Sequence, residues 1–481
     1  MPLLALSNEL LHAIIEFCEF SGVRELCKSC HQLNTVATPH LYSTITFYDK
    51  TEEICPKDPS HYHFLRTIVH RPDLAKFPRI FHCVWLLRAQ VESTWRLFCR
   101  NIDDSSDPAT SLSDLIRIKV NEASASKEHA KLWHTAIFGL GDSRAPGSDG
   151  TMALIVCLLP NLKEIHMSEA NFKRGGNAGT FIDPTAEFFA PMFAHAVALQ
   201  TKQGESENEI SPYSMSKLAS MSIKNLSRAD VPLSKILHRL ELPSLKKFVA
   251  QYAIDLPNGI PFSIPETFTS GVQDLRFERS LFHPENLRRL LSACPSLCKF
   301  ALEYSSTRIP FCSTEMVEGL MASKETLKFI EAGMTSEFIR PHLVLTGSFG
   351  RPGSFADFPR LKEIVASAGV ILDDSANKNT SAEKRSDEDT DADHIRAFLQ
   401  RIPRSLQKLT LKDCYAFDRT SFAAVLALVR EKERYTPDLK YISLTWLGIH
   451  PSEYRPSKYD LIKACKEGGI ELALHFKHYY F

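Results

Sequence analysis

Pro295-Ser-Leu-Cys-Lys-Phe-Ala-Leu302 is the stretch on which the reading of this chain turns. Its leucine at 297 is followed by apolar residues three and five places on, Phe300 and Leu302. Alternation at 300 and 302 is the period of a strand with one buried face, and the Pro-Ser pair ahead of it marks a turn. The same opening recurs at Pro160-Asn-Leu-Lys163, Pro243-Ser-Leu-Lys246, Pro359-Arg-Leu-Lys362 and Pro437-Asp-Leu-Lys440. The full spacing L-x-x-L-x-L, with other apolar residues admitted, begins at Leu162, Leu218, Leu245, Val272, Leu297, Leu327, Leu361, Leu406 and Leu439. Successive starts lie 56, 27, 27, 25, 30, 34, 45 and 33 residues apart. The first step is two repeats long with one copy unrecognised, and the step of 45 holds an insert.

Helical segments fill the gaps, at residues 185–198, 232–240, 284–294, 314–322, 393–400 and 421–431. One strand and one helix per unit requires a crossover between parallel strands. This organisation resembles the leucine-rich repeat superfamily from about residue 150 onward, and from the strand His82-Cys-Val-Trp-Leu-Leu87. The resemblance implies an α/β solenoid, with parallel strands inside and helices outside. Its last strand is expected at Ile470-Glu-Leu-Ala-Leu-His-Phe476, after Gly468-Gly469. The ninth position, where the family carries Asn or Cys, holds Cys only at Cys414, so irregular turns are expected. Alternation places position five of each copy opposite the buried residues at four and six. His166, Val249, Arg276, Ala301, Thr410 and Ser443 are therefore expected to line the inner face and to meet a target protein. Lysines follow the leading residue at 163, 246, 328, 362 and 440, and read as a rim of solubilising or target-binding charge.

The first forty-five residues read differently. Ser7 or Asn8 caps a helix carrying Leu10, Leu11, Ile14, Ile15, Phe17 and Cys18, and Gly22 is expected to break it. Val23, Leu26, Cys30, Leu33 and Ala37 then follow at steps of 3, 4, 3 and 4, one face of a second helix that Pro39 should end. Leu41 to Phe47 alternates like a strand. Two short helices cannot bury this much apolar surface between themselves.

Leu6-Ser7-Asn8-Glu9-Leu10-Leu11, Ile14-Ile15, Leu26-Cys27-Lys28-Ser29-Cys30-His31-Gln32-Leu33 and Ala37-Thr38-Pro39-His40-Leu41-Tyr42 resemble the F-box, with Ser7 where that family has proline. An F-box followed by irregular leucine-rich repeats is similar to fungal F-box-like proteins. The resemblance implies a non-catalytic, substrate-recognition subunit of an SCF-type (cullin-RING) ubiquitin ligase. A Skp-type adaptor, and through it a cullin, would dock on Leu6, Leu10, Leu11, Ile14, Leu26, Cys30 and Leu33, while the repeats hold a target protein. The alternative is a leucine-rich repeat scaffold whose N-terminal helices are only a cap. Expected domains are thus 1–45, a linker with degenerate first repeats over 46–150, and the repeats over 151–481. Residues 373–393 form an acidic insert expected to be disordered, with eight acids against three bases. Residues 139–150 read as an exposed loop.

Composition bounds the rest. The 481 residues are 44% hydrophobic and 24% charged, those of a folded protein too long for one compact core. Basic and acidic residues number 57 each, and 57 − 57 = 0, which argues against a general nucleic-acid or membrane-surface binder. The twelve cysteines are scattered singly, as in a cytoplasmic or nuclear protein with reduced thiols. The Cys27-Lys-Ser-Cys30-His31 run has the form of a haem-attachment motif, but Cys30 lies on the apolar stripe and reads as a core thiol. No phosphate loop, H-E-x-x-H or G-x-S-x-G occurs. Gly347-Ser-Phe-Gly350-Arg-Pro-Gly353 has the wrong spacing for a dinucleotide loop, and His61-Tyr-His63 lacks acid or thiol partners. Neither an enzymatic activity nor a cofactor is expected.

Overall fold

The computed structural model describes residues 3–47, 60–86, 111–138, 148–170, 186–203, 211–225, 231–255, 262–305, 311–334, 352–372, 387–415, 419–447 and 455–477. The chain forms two compact units: residues 1–229 with 235–246, and residues 230–234 with 247–481. Both are mixed α/β with a parallel sheet. Among the described residues, no helix is long and apolar enough to cross a membrane.

The first unit begins with three helices, α1 (Asn8–Glu16), α2 (Phe20–Ser29) and α3 (His31–Ser43). Its strands β1 (Thr44–Phe47), β2 (Ile80–Leu86), β3 (Glu164–Ala170) and β4 (Ser220–Asn225) pair in parallel in that order. Residues 60–86 and 111–138, expected to be linker or degenerate repeat, are built around the helices Ser60–His70, Leu112–Ala123 and Lys127–Phe138. Their buried side chains include Tyr62, Leu65, Ile116, Val120 and Trp133, whose indole N–H donates to the Gly150 carbonyl at 2.6 Å. Gly150 itself lies in the helix Ser148–Cys157, which starts inside the expected loop.

In the second unit β5 (Lys247–Gln251), β6 (Asp274–Ser280), β7 (Lys299–Tyr304), β8 (Phe329–Met334), β9 (Glu363–Ser367), β10 (Lys408–Tyr415), β11 (Tyr441–Leu447) and β12 (Glu471–Lys477) each pair in parallel with the next. The proline-leucine phrase explains the stacking. Leu297, Leu361, Leu406 and Leu439 each close a three-residue turn onto a preceding carbonyl, that of Cys294, Phe358, Pro403 and Thr436. The next residue then donates its N–H to the same position of the neighbouring copy: Cys298 to Gln273 O, Lys328 to Cys298 O, Lys362 to Lys328 O, Gln407 to Lys362 O and Lys440 to Gln407 O, all at 2.8–3.0 Å. The turn thereby extends the sheet by one residue. In all nine copies of the spacing the leading residue and those at positions four and six are buried. Ser280, at the ninth position, supplies a turn bond without asparagine: its hydroxyl accepts from Ala253 N at 3.0 Å and donates to Glu278 O at 3.0 Å. The covering helices Pro284–Ser292 and Ser313–Leu320 approach closely, since a Cβ at Gly319 would lie 2.7 Å from the Arg288 carbonyl.

Several expectations are corrected. The N-terminal run makes three helices, not two, because the breaks fall elsewhere. Gly22 sits inside the first turn of α2, whereas Glu19 and Cys30 are extended (ψ 156° and 166°) and interrupt the chain. The 3-4-3-4 spacing crosses the break at Cys30 because residues on both sides feed one core. Pro39 lies within α3, which runs on to Ser43, so the strand is confined to Thr44–Phe47. The helix Asp387–Arg401 begins inside the acidic stretch, with Asp387, Glu388 and Asp389 in its first turn, where the helix dipole favours carboxylates. Residues 373–386 lie outside the described residues. The compact units divide at residue 246.

Candidate functional site

Two surfaces collect the candidate residues, one in each kind of architecture. The first is on the N-terminal helices. Leu11, Ile15, Val23, Leu33, Val36 and Ala37 form a closed core, with Leu6, Cys18, Leu26, Cys27, Cys30 and Leu41 packed around it. Cross-links fix the helices: Asn34 Nδ2 donates to the Cys27 carbonyl at 2.6 Å, and His12 Nδ1 meets His40 Nε2 at 2.7 Å. Ser7, standing at the start of α1, makes no side-chain bond to the helix amides. Backbone hydrogen bonding first, and then the Ser7 hydroxyl, hold the Glu9 carboxyl below its ordinary range.

That core leaves apolar groups over. Leu10, Ile14 and Phe17 recur at i, i+4 and i+7, one face of a helix, and are 54%, 42% and 91% exposed. Phe20, at the start of α2, is 67% exposed. The seven residues expected to bind an adaptor therefore separate. Leu10 and Ile14 face outward. Leu11 and Leu33 are buried in the core of the three helices, and Leu6, Leu26 and Cys30 pack against it, so these five hold the helices together. Phe17 and Phe20 join the outward set; the i+7 step from Leu10 to Phe17 was visible in the sequence.

The second kind of surface is the strand face opposite the buried rows, described for each unit by itself. In the first unit it carries Thr46, His82, His166 and Ser222 in register. The rings of His82 and His166 stack at 4.6 Å and 13°. His166 reaches Ser222 Oγ at 2.8 Å and Glu164 Oε2 at 3.3 Å. Burial, and then His166, keep the His82 imidazole below its ordinary range.

In the second unit the row is Val249, Arg276, Ala301, Glu331, Val365, Thr410, Ser443 and Ala473. The expected residues thus stand on one face, but with unequal access. Arg276 is exposed and Val249 and Thr410 half-buried, while Ala301 and Ser443 are nearly covered, being short side chains between neighbours. Sequence reading passed over Glu331, the hub of the face. Its carboxylate takes Lys412 Nζ at 2.6 Å on one oxygen and stands 3.9 Å from Arg276 on the other. Lys408 pairs with Glu363 at 2.9 Å and lies over the Tyr441 ring. The register rule that selected Arg276 and Thr410 selects Glu331 equally. Lys163, Lys246, Lys328, Lys362 and Lys440 are all exposed in the turns ahead of their strands.

This arrangement offers recognition chemistry: an uncovered apolar helix face, and a strand face of alternating, mutually paired charges. Comparison with protein-family models and with curated protein sequences finds no match.

Proposed function

We propose that the protein is a substrate-recognition subunit of an SCF-type ubiquitin ligase, acting in the cytoplasm or nucleus without bond chemistry of its own. The N-terminal helices act as an F-box that docks on a Skp-type adaptor, and through it a cullin. The strand–helix units form a leucine-rich-repeat solenoid that holds a target protein at high effective concentration. The observation that carries this reading is the exposed row Leu10, Ile14 and Phe17 on helices whose core is already complete. Apolar residues in register on one helix face are the anchors of a helix–groove contact.

A second reading, a non-catalytic repeat scaffold capped by these helices, draws on one observation. Helix α3 passes without a linker into β1, and Arg79 N donates to the Ser43 carbonyl at 2.8 Å, so the helices are tied to the sheet edge. A cap, however, turns its apolar side inward, whereas Leu10 and Phe17 point to solvent.

Co-elution of the purified full chain with a Skp-type adaptor decides between them. We expect a stable complex that Leu10→Asp with Phe17→Asp abolishes at unchanged circular dichroism. No complex with the unmodified chain, or a complex indifferent to both substitutions, defeats the F-box reading.

A further inference from the structure

The turns ahead of β2, β3 and β4 bring together positive charges that have no carboxylate to meet. Arg79 stands one residue before β2, Lys163 one before β3 and Lys217 three before β4. Parallel pairing sets these turns side by side. The amides of Lys163 and Glu164 donate to the Arg79 carbonyl at 2.7 and 3.0 Å, and those of Ala219 and Ser220 to the Lys163 carbonyl at 2.9 and 3.0 Å. Asn161 ties the side chains. Its Oδ1 accepts from Lys217 Nζ at 2.6 Å, its carbonyl accepts from Arg79 Nη1 at 3.3 Å, and its Nδ2 donates to the Lys76 carbonyl at 2.7 Å. One neutral residue thus gathers an ammonium and a half-buried guanidinium, with Lys76 and Lys163 exposed alongside. Like charges held together repel unless a counter-charge is near. The carboxylates beside them in sequence are engaged elsewhere: Asp73 takes Arg71 at 2.9 and 2.7 Å, and Glu164 faces His166 at 3.3 Å. Among the described residues Lys76, Arg79, Lys163 and Lys217 form no ion pair. The second unit differs, since the turns that carry Lys328, Lys362 and Lys440 each expose an acid as well, Glu325, Asp357 and Asp438.

We propose that these turns bind an acidic segment of a target protein, a run of aspartate or glutamate side chains laid across the starts of β2, β3 and β4. The inference rests on the reading that the chain holds a target, and it names that target's chemistry. Spacing suits an extended peptide. Neighbouring strands set Arg79 and Lys163 about 4.8 Å apart along the sheet, and alternate side chains of an extended peptide recur at about 6.7 Å, a mismatch that flexible lysines take up. Other anions fit less well. A phosphate group is commonly cradled by free backbone amides, whereas the amides of residues 163, 164, 219 and 220 already donate within the sheet. Single-stranded nucleic acid stacks its bases on exposed aromatic rings, and the rings in and beside these turns, Tyr42, Phe77 and Tyr213, are half-buried.

Fluorescence anisotropy of a labelled octaglutamate peptide, titrated with the full chain in the absence of adaptor, tests this. The expected result is saturable binding at low salt that weakens steeply as salt rises. Lys163→Glu with Lys217→Glu should weaken it about tenfold or more at unchanged circular dichroism. Lys328→Glu with Lys362→Glu makes the same change of charge in the second unit and should weaken it less than about twofold. Equal losses from the two pairs, or no binding by the unmodified chain, overturn the proposal. So does tighter binding of a DNA oligonucleotide of equal charge, which would make the partner a nucleic acid. Octaglutamate binding by a chain that takes no adaptor defeats the F-box reading alone. An adaptor complex without octaglutamate binding defeats this inference alone.

Discussion

Phe300 and Phe17 are the same residue type in two regions that dispose of apolar surface in opposite ways. In the second unit every apolar residue of the L-x-x-L-x-L spacing is buried between parallel neighbours, and Phe300 is 0% exposed. In the N-terminal helices a similar density of leucine, isoleucine and phenylalanine exceeds what six core positions can take up, and Phe17 is 91% exposed. A strand that repeats down a sheet always finds the next copy to cover it. Three short helices have no next copy. The difference teaches where to look for partners: apolar groups left over by a finished core, as on α1.

The comparison breaks or holds first on truncation. Phe300→Ala removes a fully buried ring from a site walled by neighbouring strands and should cost about 3–5 kcal/mol. Phe17→Ala should change stability by no more than about 0.5 kcal/mol, since an exposed ring loses no packing. Urea unfolding of the two variants, followed by circular dichroism, measures both. Equal losses would mean that Phe17 is covered in solution by the chain itself.

Burial of a titratable group sharpens the contrast. His61, in the helix Ser60–His70, lies edge-on to Phe47 with ring centroids 6.2 Å apart, and its Nε2 has no partner among the described residues. Burial first, and then His63, push its pKa down to about 4. The unfolded chain takes up the proton near pH 6.5 and the folded one only near 4, so stability falls as pH drops through this window. Between pH 7 and pH 5 the loss from this group is about 2 kcal/mol. His61→Phe should flatten that part of the stability–pH curve. An unchanged slope in the variant would assign the acid sensitivity to other groups.

The strands were legible because period-two alternation and a proline-led turn are local signals, repeated nine times. Their order followed from the parallel crossover alone. The helices Leu112–Ala123 and Lys127–Phe138 are less legible, although Leu112, Ile116, Val120 and Ala123 stand at helical steps, because these residues match no copy of the repeat. The break at Cys30 was not legible at all, since the apolar spacing runs through it unaltered. Nor was the division between Leu10 and Leu11. Both are leucines on one helix, and only the seating of α3 against α1 decides which is core and which is surface. The strand-face row was placed correctly by alternation, but access along it depends on the sizes of side chains on adjacent strands, far apart in sequence. That is why Ser443 is covered and Glu331 central.

The smallest effect belongs to that hub. Glu331 joins Arg276 and Lys412 across strands β6, β8 and β10, and all three side chains keep solvent contact, from 30% to 44% exposed. Water screens such pairs, so Glu331→Gln should lower stability by no more than about 1 kcal/mol. Its consequence for the surface is larger than for the fold, because it releases Arg276 and Lys412 and turns a balanced face into a basic one. If the strand face rather than the helix face holds the target, Glu331→Gln and Arg276→Glu should change target capture in opposite directions, with a dependence on salt, while leaving adaptor capture as it was. Parallel changes in both assays would show that the substitution acts through folding. Unchanged target capture in both variants would move recognition off the strands and onto the turns that carry Lys328, Lys362 and Lys440.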